Sequence, residues 1–105
     1  MARFGLFGSI VAHPGQRDAL LRELTTAAGQ VAQLPGCEVW IVNTSPDDPD
    51  RVWVFEVWRS REDHAASLTG DEVKATIERA RPLIAGFGER TTLDPIVGKG
   101  LTDAP

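Results

Sequence analysis

The stretch Arg51-Val-Trp-Val-Phe-Glu-Val-Trp-Arg-Ser60 decides the fold. Strand alternation sends Trp53, Phe55 and Val57 to one face and Val52, Val54, Glu56 and Trp58 to the other. A solvent-facing side would not carry two valines and a tryptophan around a single carboxylate, so both faces are expected to be covered. Glu56 is then a carboxylate in apolar surroundings, beside an indole whose N–H needs a partner when buried. It is either a structural hydrogen bond within an interface or the wall of a pocket.

Upstream, Ser45-Pro-Asp-Asp-Pro-Asp50 is made of residues that favour tight bends for separate reasons, and it joins this strand (51–59) to another over 37–44 as a hairpin. In that earlier strand Cys37, Val39 and Ile41 oppose Glu38, Trp40 and Val42. Downstream, Ser60 is a good N-cap and Asp63, three residues later, makes an approximate capping box, so a short helix is expected over 61–68. Thr69-Gly70 interrupts it. A further helix then runs over 71–85 with Val73, Ile77, Ala80 and Ile84 on its inner face, and Pro82 kinks or ends its last turn. A last strand lies within 87–97, where Pro95 marks an edge or a bulge.

Before the hairpin, residues 3–12 read as a strand containing Gly5 and Gly8, which mark a close approach of backbone or ligand. His13-Pro14-Gly15 breaks it. The spacing of Leu20, Leu24, Ala27, Ala28 and Val31 predicts a helix over 16–34, ended by Pro35-Gly36. The order β-α-β-β-α-(α)-β is that of an α+β, ferredoxin-like fold with an antiparallel sheet and helices on one face. The helices can cover only one face. The other is expected to carry Val52, Val54, Trp58 and Trp40, and an apolar patch of that size implies a partner. The economical solution is a homodimer whose sheets pack face to face around a cavity.

The 105 residues suit one domain, here 1–97, with 98–105 as a flexible tail. The net charge of −4 and the absence of a basic cluster argue against nucleic acid, whose phosphates demand a positive face. No run approaches the length of a membrane span, and Met1-Ala-Arg-Phe-Gly5 lacks a signal peptide's apolar core, so the cytoplasm is the expected compartment. The lone Cys37 fits a reducing environment. One cysteine and two histidines, His13 and His64, offer no ligand spacing, so no metal is expected. Gly98-Lys99-Gly100 is too short for a phosphate loop.

Pro14-Gly15, then Pro35-Gly36-Cys37, the acidic turn, and Phe55-Glu-Val-Trp-Arg-Ser-Arg-Glu-Asp-His64 together resemble the antibiotic biosynthesis monooxygenase family across residues 3–97. The resemblance implies a dimeric α+β barrel and an oxygenase that works without a cofactor on polycyclic phenols, anthrones or quinols. Such a protein binds a flat aromatic, withdraws a proton and holds out water while the substrate itself reduces oxygen. On this reading Trp58 is an aromatic wall and N–H donor. Glu56 or His64 takes the proton, and His64 is preferred because an unperturbed imidazole titrates near 6.5.

Phe7, Ser9, Trp40 and Val54 are the expected substrate contacts. The chain departs from the family pattern where many relatives carry further histidines; here stand Ser67 and, roughly, Glu72. It also has Val54 where anthrone-oxidising relatives carry asparagine, and strand one and residues 71–85 lack the asparagine and histidine of haem-degrading cousins. Two other readings therefore stay open: a non-catalytic small-molecule binding or accessory domain, and a proton-transfer isomerase or cyclase on the same scaffold. The bland assignments are a dimer-core aromatic for Trp58, an ion pair of Glu56 with Arg59 or Arg90, a surface cap for His64 and a small buried hydrophobe for Cys37.

Overall fold

A computed structural model describes residues 2–101. Its elements are β1 (Phe4–Ala12), α1 (Arg17–Val31), β2 (Cys37–Ser45), β3 (Asp48–Trp58), α2 (Arg61–Ser67), α3 (Asp71–Ala80), a 3-10 turn (Arg81–Leu83) and β4 (Ile84–Leu93). The four strands form one sheet in the order β2-β3-β1-β4, with every neighbouring pair antiparallel. This is the expected α+β, ferredoxin-like arrangement, and the three helices lie on one face of the sheet.

Local chemistry accounts for most boundaries. Ser60 caps α2, its hydroxyl accepting the Asp63 N–H at 3.1 Å. The Asp63 carboxylate does not close the box but accepts from Arg59 at 3.2 Å. Ser45 pairs with Asp48, so the β2–β3 turn is Pro46-Asp47 and β3 begins three residues before the expected Arg51. Pro49 is tolerated because β1 pairing starts only at Arg51, which leaves Pro49 with a single neighbouring strand. Pro82 ends α3 in a 3-10 turn, and Ile84 opens β4 instead of closing the helix. The buried face of α3 is accordingly Thr76 and Ala80, while Ile77 is exposed. β4 is an edge strand with a bulge between the Gly8 and Ile10 pairings, as Pro95 led one to expect, although Pro95 itself lies just past the strand.

The assignment of faces is reversed from the sequence expectation. Phe4 pairs with Trp58, Leu6 with Glu56, Gly8 with Val54 and Ile10 with Val52, and Trp40 lies opposite Glu56. These rows sit beneath the helices. One buried cluster joins Phe4, Leu6, Val31 and Trp58, with Leu34, Cys37 and Trp40 against it. A second joins Ala12, Leu20, Val52 and Ala80. Trp58, Val52, Val54 and Trp40 therefore belong to the covered face, and Trp58 is only 1% exposed. The helix-free face carries Phe7, Phe55 and Ile41 in one row and Ser9, Trp53 and Asn43 in the next. Alternation fixes which residues share a face. It does not fix which side the helices take when both sides of β3 are apolar.

Gly36 shows how tightly the α2 end is seated. A Cβ built there would lie 2.6 Å from the Asp63 side chain, while the Gly36 carbonyl accepts the Arg59 N–H at 2.8 Å. Gly36→Ala is expected to cost about 1–3 kcal/mol through overpacking. Denaturant unfolding checks it, with Gly70→Ala, where nothing lies within 4 Å, as the comparison.

Candidate functional site

The last turn of β3 and the helix above it assemble the chemistry-bearing side chains. Glu56 and Trp58, two residues apart on a strand, project to the same side. The Trp58 Nε1–H donates to Glu56 Oε1 at 2.9 Å. α2, started by its Ser60 cap, carries His64 over this pair, with the imidazole Nε2 3.8 Å from Glu56 Oε1 and the ring 5.8 Å from the Trp58 ring, edge to face. Phe4 flanks His64 at 5.1 Å on the other side, and the Arg61 guanidinium covers Phe4 at 4.5 Å. The result is a layered stack of Arg61, Phe4, His64 and Trp58 around one carboxylate. The Glu56 and His64 side chains are 18% and 13% exposed.

Three of the residues expected to act together, Trp58, Glu56 and His64, are thus brought together. The role given to the Trp58 N–H changes: it is engaged by Glu56 and is not free for a substrate oxygen. Within the chain Glu56 is held by Trp58 and not by Arg59, which is held by Asp63. Trp40 and Val54 lie on the same face of the sheet as the cluster, beside Glu56 and Gly8 respectively. Phe7 and Ser9 lie on the opposite face, so one ligand cannot touch them and Trp58 together. Phe4 and Arg61 were not foreseen, whereas Arg90, expected as an ion-pair partner of Glu56, lies close enough to act electrostatically on His64. Phe4 and Arg61 could have been found only by knowing that α2 folds back over the start of β1.

Burial pushes the His64 imidazolium down from 6.5; Glu56 opposes this, and the positive charges of Arg90 and Arg61 add to the lowering. The ring is therefore neutral and able to accept a proton at pH 7. A lowered folded-state value means that the neutral ring's contribution to stability is complete above about pH 6.5. That contribution is lost as pH falls through the folded-state value. His64 should titrate below 6.5 by NMR, and His64→Gln should flatten the acid loss of stability in that window. A midpoint above 6.5 would count against the arrangement.

Three concavities surround this cluster without opening onto it. On the helix-free face a groove of about 560 Å³ is lined chiefly by Phe7, Ile41, Trp53, Phe55 and Leu93. Beside it a polar hollow of about 360 Å³ includes Ser9, Arg51 and Glu89, with Arg51 donating to Ser9 at 2.8 Å and to Asp48 at 3.0 Å. On the helix side a cleft of about 530 Å³ separates α1 from the α2–α3 corner. Among the described residues no three His, Cys, Asp or Glu side chains gather as metal ligands, and no helix is long and apolar enough to cross a membrane.

The architecture has counterparts among solved structures. A protein of Chloroflexus aurantiacus J-10-fl assigned to antibiotic biosynthesis monooxygenases is 42% identical, with a TM-score of 0.88 over 95% of this chain and 99% of that one. A counterpart from Caulobacter crescentus CB15 is 22% identical with a TM-score of 0.84, covering 91% and 92% of the two chains. A Pseudomonas aeruginosa protein, 18% identical, shares the fold with a TM-score of 0.82 over 92% and 97%. No curated protein matches. The sequence model of antibiotic biosynthesis monooxygenases matches residues 4–79, from the start of β1 to the last residue but one of α3, a span that contains Trp58, Glu56 and His64. The chain belongs to the antibiotic biosynthesis monooxygenase family.

Proposed function

We propose that this protein is a monooxygenase that oxidises a small flat aromatic, an anthrone, phenol or quinol, with molecular oxygen and without a cofactor. The observation that carries the reading is His64 packed against the Phe4 and Trp58 rings over the Glu56 carboxylate, on a family fold. His64 is the base, and Glu56 is the positioning residue, anchored by the Trp58 N–H, that favours the imidazolium once the proton arrives. With an anthrone, His64 removes a proton from the CH₂ beside the aromatic rings. The carbanion gives one electron to oxygen, the radical pair joins as a hydroperoxide at that carbon, and loss of water leaves a carbonyl. One oxygen molecule is consumed and one water released for each substrate, with the substrate as the only reductant.

Val54, standing where an asparagine would hold a substrate oxygen, favours a non-catalytic binding domain as the second reading. An oxygen electrode separates the two. Uptake with a panel of anthrones and hydroquinones, unaffected by chelator, is expected. Saturable binding with no uptake would replace the first reading by the second, and product formation without oxygen would point to the isomerase or cyclase. The proposal extends to the assembly: a second copy of the chain covers the helix-free face. It is supported by a groove of aromatic and aliphatic side chains on which Phe7 is 42% and Ile41 50% exposed.

A further inference from the structure

None of the three concavities is lined by Trp58, Glu56 or His64. Trp58 is 1% exposed, His64 and Glu56 are largely covered, and the space beside the indole is filled by Phe4, Leu6 and Val31. A flat aromatic ring that is to lie against Trp58 needs more room than this cover leaves, so a covering element has to move. The elements above the sheet are unequal in this respect. α1 and α3 are cross-tied, with Gln30 Nε2 donating to Thr76 at 3.1 Å and Arg79 to Glu23 at 2.9 Å. α2 has seven residues, below the length at which a helix holds itself together. Its ends are the Ser60 cap and the Thr69-Gly70 corner; its first turn is seated on Gly36 through Asp63, and beyond that turn the His64 stack holds it to the sheet. Segments with few apolar contacts and fraying ends occupy the low-stability end of a fold.

The cleft between α1 and the α2–α3 corner meets this element at its weak side. Its walls include Gly29, Gln33 and Leu34 on α1 and the turn after it, and Ser67, Gly70 and Val73 opposite. Two of these are the inner lining. Leu34 packs on the Phe4–Leu6–Val31–Trp58 cluster, and the Ser67 hydroxyl donates to the His64 carbonyl. A single layer of side chain therefore separates the cleft from the site. Gly29 and Gly70 leave its rim open, with nothing within 4 Å of a Cβ at either.

We infer that this cleft is the passage by which a flat aromatic ligand reaches Trp58, Glu56 and His64, and that α2 is its moving wall, hinged at Ser60 and Gly70. The inference rests on the aromatic-ligand reading above, and its test separates the two. The first arm uses no ligand. Exchange of the Trp58 indole proton with D₂O, followed by NMR in protein labelled with ¹⁵N-tryptophan, reports opening over that proton's bond to Glu56, with the Val52 amide as the core reference. Opening of α2 by itself predicts indole protection at least tenfold below that of Val52, and Ser60→Ala, which removes one N-cap, should speed the indole exchange about fivefold.

The second arm measures association of 1,4-naphthoquinone by quenching of Trp58 in a protein carrying Trp40→Phe and Trp53→Phe. Gly29→Phe, which raises helix propensity while placing a ring in the cleft, should slow association at least tenfold, and Gly29→Ala should not. Indole exchange in step with Val52 in every variant overturns the moving wall. Binding whose rate ignores Gly29→Phe overturns the passage and leaves the aromatic site standing. No quinone binding in any variant removes the aromatic-ligand reading, and this inference with it.

Discussion

Trp58→Ala is expected to lower the unfolding free energy by about 3–5 kcal/mol, the usual cost of deleting a buried large aromatic. The indole is the largest fully buried side chain and the centre of the cluster that joins β1, β3 and α1. Against a domain stability of about 5–15 kcal/mol, that loss leaves the protein marginal. Trp58→Phe is the more telling variant. It keeps much of the volume but removes the N–H that holds Glu56, and a carboxylate that loses its donor under cover costs about 1–3 kcal/mol. If Trp58 serves through Glu56 and His64, the phenylalanine variant should also move the His64 titration midpoint and lower oxygen uptake more than its modest stability loss explains. Urea unfolding, NMR titration and the oxygen electrode read the three effects on one sample. A Trp58→Phe protein with normal stability and an unmoved His64 midpoint would reduce the indole to filler.

Much of this arrangement is legible in the sequence where the governing chemistry is local. Ser60 and Asp63 specify the start of α2 by a hydroxyl-to-amide bond that spans three residues. Pro82 ends a helix for a reason contained in its own backbone, whereas α1 stops at Val31, short of the Pro35-Gly36 expected to end it. The meeting of Glu56 with Trp58 is likewise a property of strand alternation. Non-local choices are not written so plainly. The segment 51–58 is apolar on both sides, so nothing in it marks the side on which α1 will lie. That choice is made by α1's own Leu20 and Val31, which need Val52 and Trp58 as their floor. The error carried Phe7 and Ser9 into the same pocket as Trp58, although a sheet stands between them. Asp48-Pro49 reads as turn because Asp and Pro each favour tight bends, yet both lie in β3. β3 becomes central only from Arg51 onward.

The corrected faces sharpen what should happen on the other side of the sheet. Phe7→Glu is expected to weaken self-association by about 10³-fold, converting a dimer at micromolar concentration into single chains. In a twofold assembly one patch meets its own copy, so each substitution enters the interface twice. Burying a carboxylate among Phe55, Ile41 and Leu93 at both places removes two aromatic anchors, each worth about 2 kcal/mol at a hot spot. Leu68→Glu supplies the control, because Leu68 is 47% exposed just past α2, on the helix side of the sheet. It should leave association unchanged. Sedimentation velocity over a concentration series measures both. The outcome also bears on the chemistry, because Gly5, Phe7 and Ser9 alternate along β1 with Phe4, Leu6 and Gly8, which floor the site. A strand braced on its outer side by a partner holds the inner row in place. Loss of the dimer by Phe7→Glu should therefore loosen the Trp58 indole proton as well, without any substitution on the site's own face. A single-chain species in the unmodified protein at micromolar concentration, with Trp58 equally protected, would show that the covered face alone supports the site.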